Sequence, residues 1–142
     1  MELLQKKNIV LNCKAKAKED VIREMGELLC SSGYVEESYI EAMLLRENTF
    51  STNIGNGIAI PHGVEEAKKN IKNSGIGIMV FPEGTKWNED IVKIVIGIAG
   101  IGDEHLDILA NIADKLSTEK AVEEVVGSTV DEIYTLFTNA KQ

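Results

Sequence analysis

The sequence has little of what secreted and membrane-spanning proteins need. Its 142 residues include two cysteines, two prolines, two histidines and one tryptophan. Cys13 and Cys30 form no CxxC pair, which argues against a disulfide framework or a cysteine-based metal site. No apolar run is long enough to cross a membrane. Because the N-terminus MELLQKKNIV also lacks the apolar stretch of a signal peptide, we expect a cytoplasmic protein that does not insert into the membrane.

Positive charge is scarce as well. The net charge is −8, and no lysine and arginine cluster could follow a nucleic-acid backbone or an anionic membrane surface. An acidic surface suits a basic protein partner instead. With 44% apolar residues, 27% charged residues and no internal repeat, the chain is predicted to form one domain over residues 1–142.

The apolar pattern predicts helices around a buried sheet. Strands are expected at residues 9–11, 58–60, 75–81 and 91–99, and the last two are apolar without alternation, as in strands covered on both faces. Amphipathic helices are expected from residue 19 to Gly33, over residues 37–47, after Asp103, after Thr118, and after Ser128 or Thr129. A short helix or turn is expected at residues 65–71, a loop at 48–57 and a turn in PEGTKWNED. The fold class is therefore α/β, a single-domain three-layer sandwich whose mixed parallel and antiparallel sheet of about five strands carries helices on both faces.

His62 follows the short strand at residues 58–60, and the carboxyl ends of strands are where open α/β sheets usually bind ligands. Pro61 fixes its own φ and keeps the residue before it extended, so the strand end is rigid. Gly63 has no side chain, which lets a bulky anion approach the backbone beside the imidazole. Gly55 and Gly57 add permissive backbone that could form an anion-binding concavity. These features fit an active histidine and an ordinary loop histidine alike.

Two further residues have an ordinary and a functional interpretation. His105 lies in the first turn of the helix that Asp103 caps, where it could face the core or could contact an anion held by the free N–H groups of the helix N-terminus. Arg46 closes the second predicted helix. It could complement the helix dipole, or it could pair bidentately with a phosphoryl group in a way that lysine cannot imitate.

Other chemistries find no matching motif. GNGIAI is not GxGxxG, since Ile60 occupies the third glycine position, and neither GxxxxGK[ST] nor GxSxG occurs. A metal site would need two distant histidines and carboxylates without HExxH or CxxC spacing. The sequence therefore predicts no metal site.

The two histidine segments together resemble a known family. RENTFSTNIGNGIAIPHG, followed by DEHLDILANIA, is similar to the IIA component of the bacterial phosphoenolpyruvate-dependent sugar phosphotransferase system, in its mannitol/fructose superfamily. The stretches GYVEESYIEAMLLRE, IKNSG, VFPEG and IVKIVIGIA look most like the mannitol-type branch, and the likeness covers nearly the whole chain. The fructose-type and nitrogen-regulatory branches share GIAIPHG, so either remains an alternative, the latter signalling by its phosphorylation state.

The resemblance implies roles for individual residues. His62 stands at the phosphorylated histidine, which reacts through Nε2, while His105 and Arg46 match the residues that contact the phosphoryl group. Asn56, Gly57 and Gly63 are expected to line the pocket.

The resemblance also implies partners and a chemical requirement. The donor is the phosphorylated carrier protein HPr, and the acceptor is a cysteine of a IIB component, free or fused to the membrane IIC channel; no cofactor is implied. The nucleophile has to be a neutral imidazole whose other nitrogen carries the proton. We therefore expect a carbonyl acceptor for Nδ1–H of His62.

Overall fold

The computed structural model describes residues 2–138, within which five strands and five α-helices are present. The strands are β1 (Ile9–Val10), β2 (Asn53–Gly55), β3 (Ile58–Ala59), β4 (Gly75–Trp87) and β5 (Asp90–Ala99). The helices are α1 (Lys18–Ser31), α2 (Tyr39–Thr49), α3 (Glu104–Lys115), α4 (Glu119–Val126) and α5 (Val130–Thr138), with 3₁₀ helices at Lys6–Asn8 and Glu65–Asn70. Residues 1 and 139–142 of the expected domain lie outside the described range.

The strands form one mixed sheet in the order β1-β4-β5-β3-β2. A long antiparallel hairpin of β4 and β5 lies at its centre, β1 and β3 pair with the hairpin in parallel, and β2 pairs with β3 antiparallel. Because β3 and β5 are parallel, their carboxyl ends meet at the same edge of the sheet. The predicted mixed sheet of about five strands is confirmed.

Both faces of the sheet are covered by apolar side chains. One cluster joins α1 and α2 to the sheet and includes Val21, Ile22, Met25, Met79, Phe81 and Val95. The other joins α3, α4 and α5 to the opposite face and includes Ile76, Ile78, Ile94, Ile96, Ile98, Ile112 and Phe137. Successive strand residues alternate between these clusters, which explains why the sequence shows continuous apolar runs. The predicted three-layer sandwich is confirmed.

Helix boundaries follow local capping chemistry. Gly33 follows α1 with a φ of +86°, a conformation that glycine adopts without strain. The hydroxyl of Thr118 accepts a hydrogen bond from the Ala121 N–H at 3.1 Å, and Thr129 and Glu132 form a reciprocal capping box at the start of α5. Thr129 is therefore the cap of α5, the second of the two residues considered.

Two segments predicted as irregular form strands. Residues 53–55 of the expected loop are β2, because Asn56 and Gly57 both have positive φ, +55° and +80°, and turn the chain back as a hairpin. The expected turn in PEGTKWNED is too long, since β4 continues to Trp87 and reverses direction around Asn88, whose φ is +59°. The proline and glycine of that segment fall in a register shift between Val80 and Thr85 rather than in the turn.

A buried carboxylate fastens the end of α2 to the tip of the central hairpin. Glu47 is 5% exposed, and its oxygens accept hydrogen bonds from Trp87 Nε1 at 3.0 Å, from the Thr52 N–H at 3.1 Å and from the Thr52 hydroxyl at 2.5 Å. Lys18 Nζ lies 3.7 Å away and supplies a countercharge. Burial of a carboxylate is tolerated only with such partners, so this network fixes the last turn of α2 and the chain that follows it.

We predict that Gly97→Ala destabilises the fold. Gly97 pairs with Gly77 across the β4–β5 hairpin, and an added Cβ would lie 2.1 Å from Cγ and 2.6 Å from Sδ of the buried Met25. Overpacking of this kind lowers the free energy of unfolding by about 1–3 kcal/mol, which urea denaturation measures. Gly127→Ala is the control, because its nearest non-neighbouring atoms are 3.8 Å away. Equal stability of the two variants would contradict the prediction.

Candidate active site

The backbone of β5 holds His62 at the sheet edge. His62 forms a parallel bridge with Ile98, and the Ile98 N–H donates to the Pro61 carbonyl at 2.9 Å, which extends the β3–β5 pairing beyond β3 itself. Within the ring, Nδ1 lies 2.8 Å from the Ile60 carbonyl oxygen. A carbonyl oxygen can only accept, so Nδ1 carries the proton and Nε2 keeps its lone pair. The carbonyl acceptor expected from the sequence is therefore present.

A buried tyrosine connects the loop after His62 to the same strand. The Tyr39 hydroxyl donates to the Ile98 carbonyl at 3.1 Å and accepts from the Gly63 N–H at 2.8 Å. Burial raises the pKa of Tyr39, so the phenol keeps the proton that it donates. Any Cβ at residue 63 would lie 2.6 Å from the Tyr39 ring, and Gly63 is therefore required for this contact.

His105 reaches the site from the opposite helical layer. An added Cβ at Gly100 would lie 2.5 Å from the His105 Cα, so this glycine lets the first turn of α3 pack on the end of β5. The centroids of the His62 and His105 rings are 5.2 Å apart, with a tilt of 60°. The helix start differs from expectation, because Asp103 makes no side-chain cap and the N–H groups of residues 104–107 donate to the carbonyls of residues 101–103. These amides are engaged locally and are not the free donors predicted.

The two histidines share one pocket with charged side chains. A pocket of about 160 Å³ brings together four of the predicted residues with five others, namely Tyr39, Arg46, His62, Gly63, Glu65, Lys68, Ile71, Gly100 and His105. Arg46 is half-buried, and its Nη1 donates to the Phe50 carbonyl at 2.7 Å. The arginine thus closes the end of α2 and lines the pocket at the same time, so its two interpretations are compatible.

Burial keeps both imidazoles neutral. The pKa of His62 is lowered mainly by burial and also by the charges of Arg46 and Lys68, against which the Ile60 carbonyl acts. The pKa of His105 is lowered mainly by burial and then by the neighbouring His62 ring. A neutral imidazole with a free Nε2 beside two cationic side chains is a nucleophile placed to receive an anionic group.

Asn56 and Gly57 do not lie at this pocket. They form the β2–β3 turn at the amino end of β3, where the Gly57 carbonyl accepts from the Lys93 N–H at 2.7 Å and the Asn56 amide lies near the Ser117 carbonyl. His62 lies at the other end of the strand. The expectation that they line the pocket is wrong, because Asn-Gly forms the turn of the β2–β3 hairpin here.

Sequence reasoning missed Tyr39, Glu65 and Lys68 as pocket residues. Tyr39 lies seven residues before Arg46, a spacing that puts both on one face of α2 and was available as a signal. Glu65 and Lys68 are three residues apart in a 3₁₀ helix, where such side chains lie one above the other. That this helix borders the pocket depends on tertiary packing, and no local pattern indicates it.

We predict that Tyr39→Phe destabilises the site while keeping its shape. Removing the hydroxyl leaves the Gly63 N–H and the Ile98 carbonyl without this partner, which costs about 1–3 kcal/mol of unfolding free energy for buried groups. Urea denaturation and amide hydrogen exchange at Gly63 measure the effect. The control is Tyr134→Phe, whose hydroxyl bonds Glu2 at the surface. Unchanged exchange at Gly63 would show that the tyrosine does not hold this loop.

We predict that the two histidines make stability depend on pH. The folded pKa values of both histidines lie below the ordinary value. As pH falls below the unfolded pKa, the unfolded chain therefore binds more protons than the folded one, and the free energy of unfolding decreases. Urea denaturation between about pH 7.5 and pH 5 should therefore show a larger loss for the wild type than for His62→Gln/His105→Gln, whose side chains do not titrate. Parallel losses in the two proteins would refute the buried neutral state.

Residues 2–138 contain neither a membrane-spanning helix nor a metal-binding cluster. Within residues 2–138, no helix is long and apolar enough to span a bilayer. In the same range, no three histidine, cysteine, aspartate or glutamate side chains gather closely enough to hold a metal ion.

Comparison with known proteins identifies the family. Residues 2–140 match the family model described as "Phosphoenolpyruvate-dependent sugar phosphotransferase system, EIIA 2". The mannitol-specific phosphotransferase enzyme IIA component of Bacillus subtilis (strain 168) is 47% identical over 133 residues, which cover 93% of each protein. The crystal structure of IIA mannitol from Escherichia coli is 38% identical, with a TM-score of 0.86 over 94% of this chain and 97% of that one. In a complex of enzyme IIAMTL and phosphorylated enzyme IIBMTL from Escherichia coli, the matching chain is 36% identical, with a TM-score of 0.88 over 96% and 99%. The chain therefore belongs to the EIIA 2 family of the phosphoenolpyruvate-dependent sugar phosphotransferase system.

Proposed function

We propose that this protein is a phosphoryl carrier for mannitol uptake. It accepts a phosphoryl group from phosphorylated HPr on Nε2 of His62 and passes it to a cysteine of the IIB component. The observation that carries the proposal is the hydrogen bond of 2.8 Å from Nδ1–H to the Ile60 carbonyl, which leaves the Nε2 lone pair available. The relay works in the cytoplasm, with HPr and IIB as its successive partners.

Loading and unloading need no net proton transfer. The Nε2 lone pair of His62 forms a bond to phosphorus as the phosphorus–nitrogen bond of the donor phosphohistidine breaks, and that electron pair returns to the donor imidazole. In the second step a IIB thiolate attacks phosphorus, and the pair of the broken Nε2–phosphorus bond returns to His62. The Ile60 carbonyl stabilises the positive charge that the ring carries while it is phosphorylated, because it accepts from Nδ1–H throughout.

Arg46 and His105 stabilise the phosphoryl group during transfer. Phosphoryl transfer depends on positioning and on charge stabilisation of the equatorial oxygens more than on covalent help. A guanidinium has five N–H donors. Within residues 2–138, Arg46 gives one of them to the Phe50 carbonyl, and others can donate to a phosphoryl oxygen. The His105 ring, whose centroid lies 5.2 Å from that of the His62 ring, supplies a neutral donor.

Mannitol is the proposed sugar because of the relatives that the chain resembles. The Bacillus subtilis protein is named as mannitol-specific and matches over nearly its whole length. The Escherichia coli complex pairs a similar chain with phosphorylated IIBMTL, which supports a IIB partner as acceptor. In the proposed relay the pocket handles only the phosphoryl group, so sugar specificity is expressed through the choice of IIB partner.

Phosphoryl loading and transfer test the proposal directly. Incubation with enzyme I, HPr and labelled phosphoenolpyruvate should place one acid-labile phosphate on the wild type and none on His62→Ala. Circular dichroism of the variant checks that the fold is retained. Labelled protein is then mixed with purified mannitol IIB and, in parallel, with fructose IIB. Label that persists on His62→Ala overturns the site, and label that never reaches mannitol IIB overturns the sugar in favour of a fructose-type or regulatory protein.

A further inference from the structure

We propose that Lys68 is a phosphoryl-binding residue and that Glu65 is the anion which the phosphoryl group displaces from it. This inference rests on the proposed carrier function and adds to it a pair of residues that exchange partners during each cycle. The pair belongs to the 3₁₀ helix Glu65–Asn70, an element that contributes nothing else to the site described above.

The geometry places both side chains at the pocket that holds the two histidines. Lys68 and Glu65 line it together with His62 and His105, and Lys68 Nζ lies 3.4 Å from Glu65 Oε2. The helix that carries them is held in place: Ala67 is buried at 6% exposure, and the Val64 N–H before the helix donates to the Ala42 carbonyl of α2 at 3.3 Å. Because the backbone is fixed, Lys68 is held at the pocket lining and needs only a side-chain movement to exchange Glu65 for a phosphoryl oxygen.

The two members of the pair differ in exposure. The Lys68 side chain is 34% exposed, whereas the Glu65 side chain is 80% exposed. Their separation of 3.4 Å exceeds the roughly 2.7–2.9 Å of a strong charge-assisted hydrogen bond. An ion pair this open to water is weak, since solvent screens it, and a phosphoryl dianion inside the pocket can replace the carboxylate.

A count of charges shows why the lysine is needed. With both imidazoles neutral, the pocket carries the positive charges of Arg46 and Lys68 and the negative charge of Glu65. Its net charge is therefore +1 (two minus one), and without Lys68 it is zero. A phosphoryl group brings a charge of about −1.5 to −2 at neutral pH. Movement of Glu65 into solvent leaves the positive charges of Arg46 and Lys68 facing the phosphoryl oxygens, in addition to the charge of the phosphorylated ring.

The electrostatic reach of this lysine supports the assignment. The charge of Lys68 lowers the pKa of both His62 and His105, so it acts on the two rings between which the phosphoryl group is bound in the proposed carrier. Glu65 acts in the opposite direction on His105. Return of the carboxylate to Lys68 after transfer restores the starting charge and disfavours rebinding of phosphate.

Two pairs of neighbouring residues give matched experiments. Lys68→Met and Lys69→Met remove the same charge one residue apart, and Lys69 is exposed and does not line the pocket. Loading is measured with phosphorylated HPr and with phosphoramidate, a small donor that needs no protein docking. We expect Lys68→Met to slow loading from both donors by about tenfold, less than the loss of a fully buried donor causes. Lys69→Met should stay within about twofold of the wild type, and Lys68→Arg should restore most of the rate.

The carboxylate is tested in the same way. Glu65→Gln should lengthen the lifetime of phosphate on His62 in the absence of partners, whereas Glu66→Gln, an exposed neighbour outside the pocket lining, should leave it unchanged. If Lys68→Met loads from phosphoramidate as fast as Lys69→Met while the wild type labels on His62, the lysine assignment is wrong and the carrier function stands. If the wild type takes up no phosphate on His62, both proposals are wrong.

Discussion

The backbone of one residue, Ile98, holds the site together. Its N–H pairs with the Pro61 carbonyl and thereby places His62, while its carbonyl accepts from the Tyr39 hydroxyl, which in turn holds Gly63. Two residues further along the chain, Gly100 provides the space in which His105 begins α3. One strand end therefore sets the positions of both imidazoles, although they come from segments more than forty residues apart. The carboxyl-terminal half of β5 is buried, which protects this reference point from local opening.

The charge of the pocket differs in sign from that of the chain as a whole. The whole protein carries a net charge of −8, yet the pocket gathers an arginine and a lysine around two neutral histidines. Burial has opposite consequences for the two kinds of group: it removes charge from the imidazoles, and it keeps the cations effective by limiting the water around them. A local positive site within an acidic surface lets a phosphoryl group bind while a basic carrier protein is still attracted overall.

Much of the fold could be predicted from the sequence because the strands and helices obey their periodicities. The continuous apolar runs in β4 and β5 indicated a sheet covered on both faces, and Thr118 marked a helix start by ordinary capping. The hairpin at Asn56 and Gly57 could have been predicted from the same rules, but the glycines near His62 were interpreted as an anion cradle instead. Local composition fits both a hairpin turn and an anion cradle. The pairing of β3 with β5 decides between them, because it places these residues at the opposite end of β3 from His62.

The candidate site was predictable to the extent that its chemistry is local. The sequence shows a rigid Pro-His-Gly segment, a histidine at a helix start and an arginine at a helix end. That these residues line one pocket depends on tertiary packing. Tyr39 illustrates the limit. Its two hydrogen bonds reach residues 24 and 59 positions away, and no spacing rule connects such distant backbone groups.

The acceptor that orients His62 is a main-chain carbonyl, and this has an evolutionary consequence. Every amino acid at residue 60, proline included, carries that oxygen, so no single substitution there deletes it. Which ring nitrogen stays protonated, and hence which of the two phosphohistidine isomers forms, is therefore encoded by the path of the chain rather than by any one side chain. The surroundings of the histidine can diverge among descendants while the isomer that their partners must recognise stays the same.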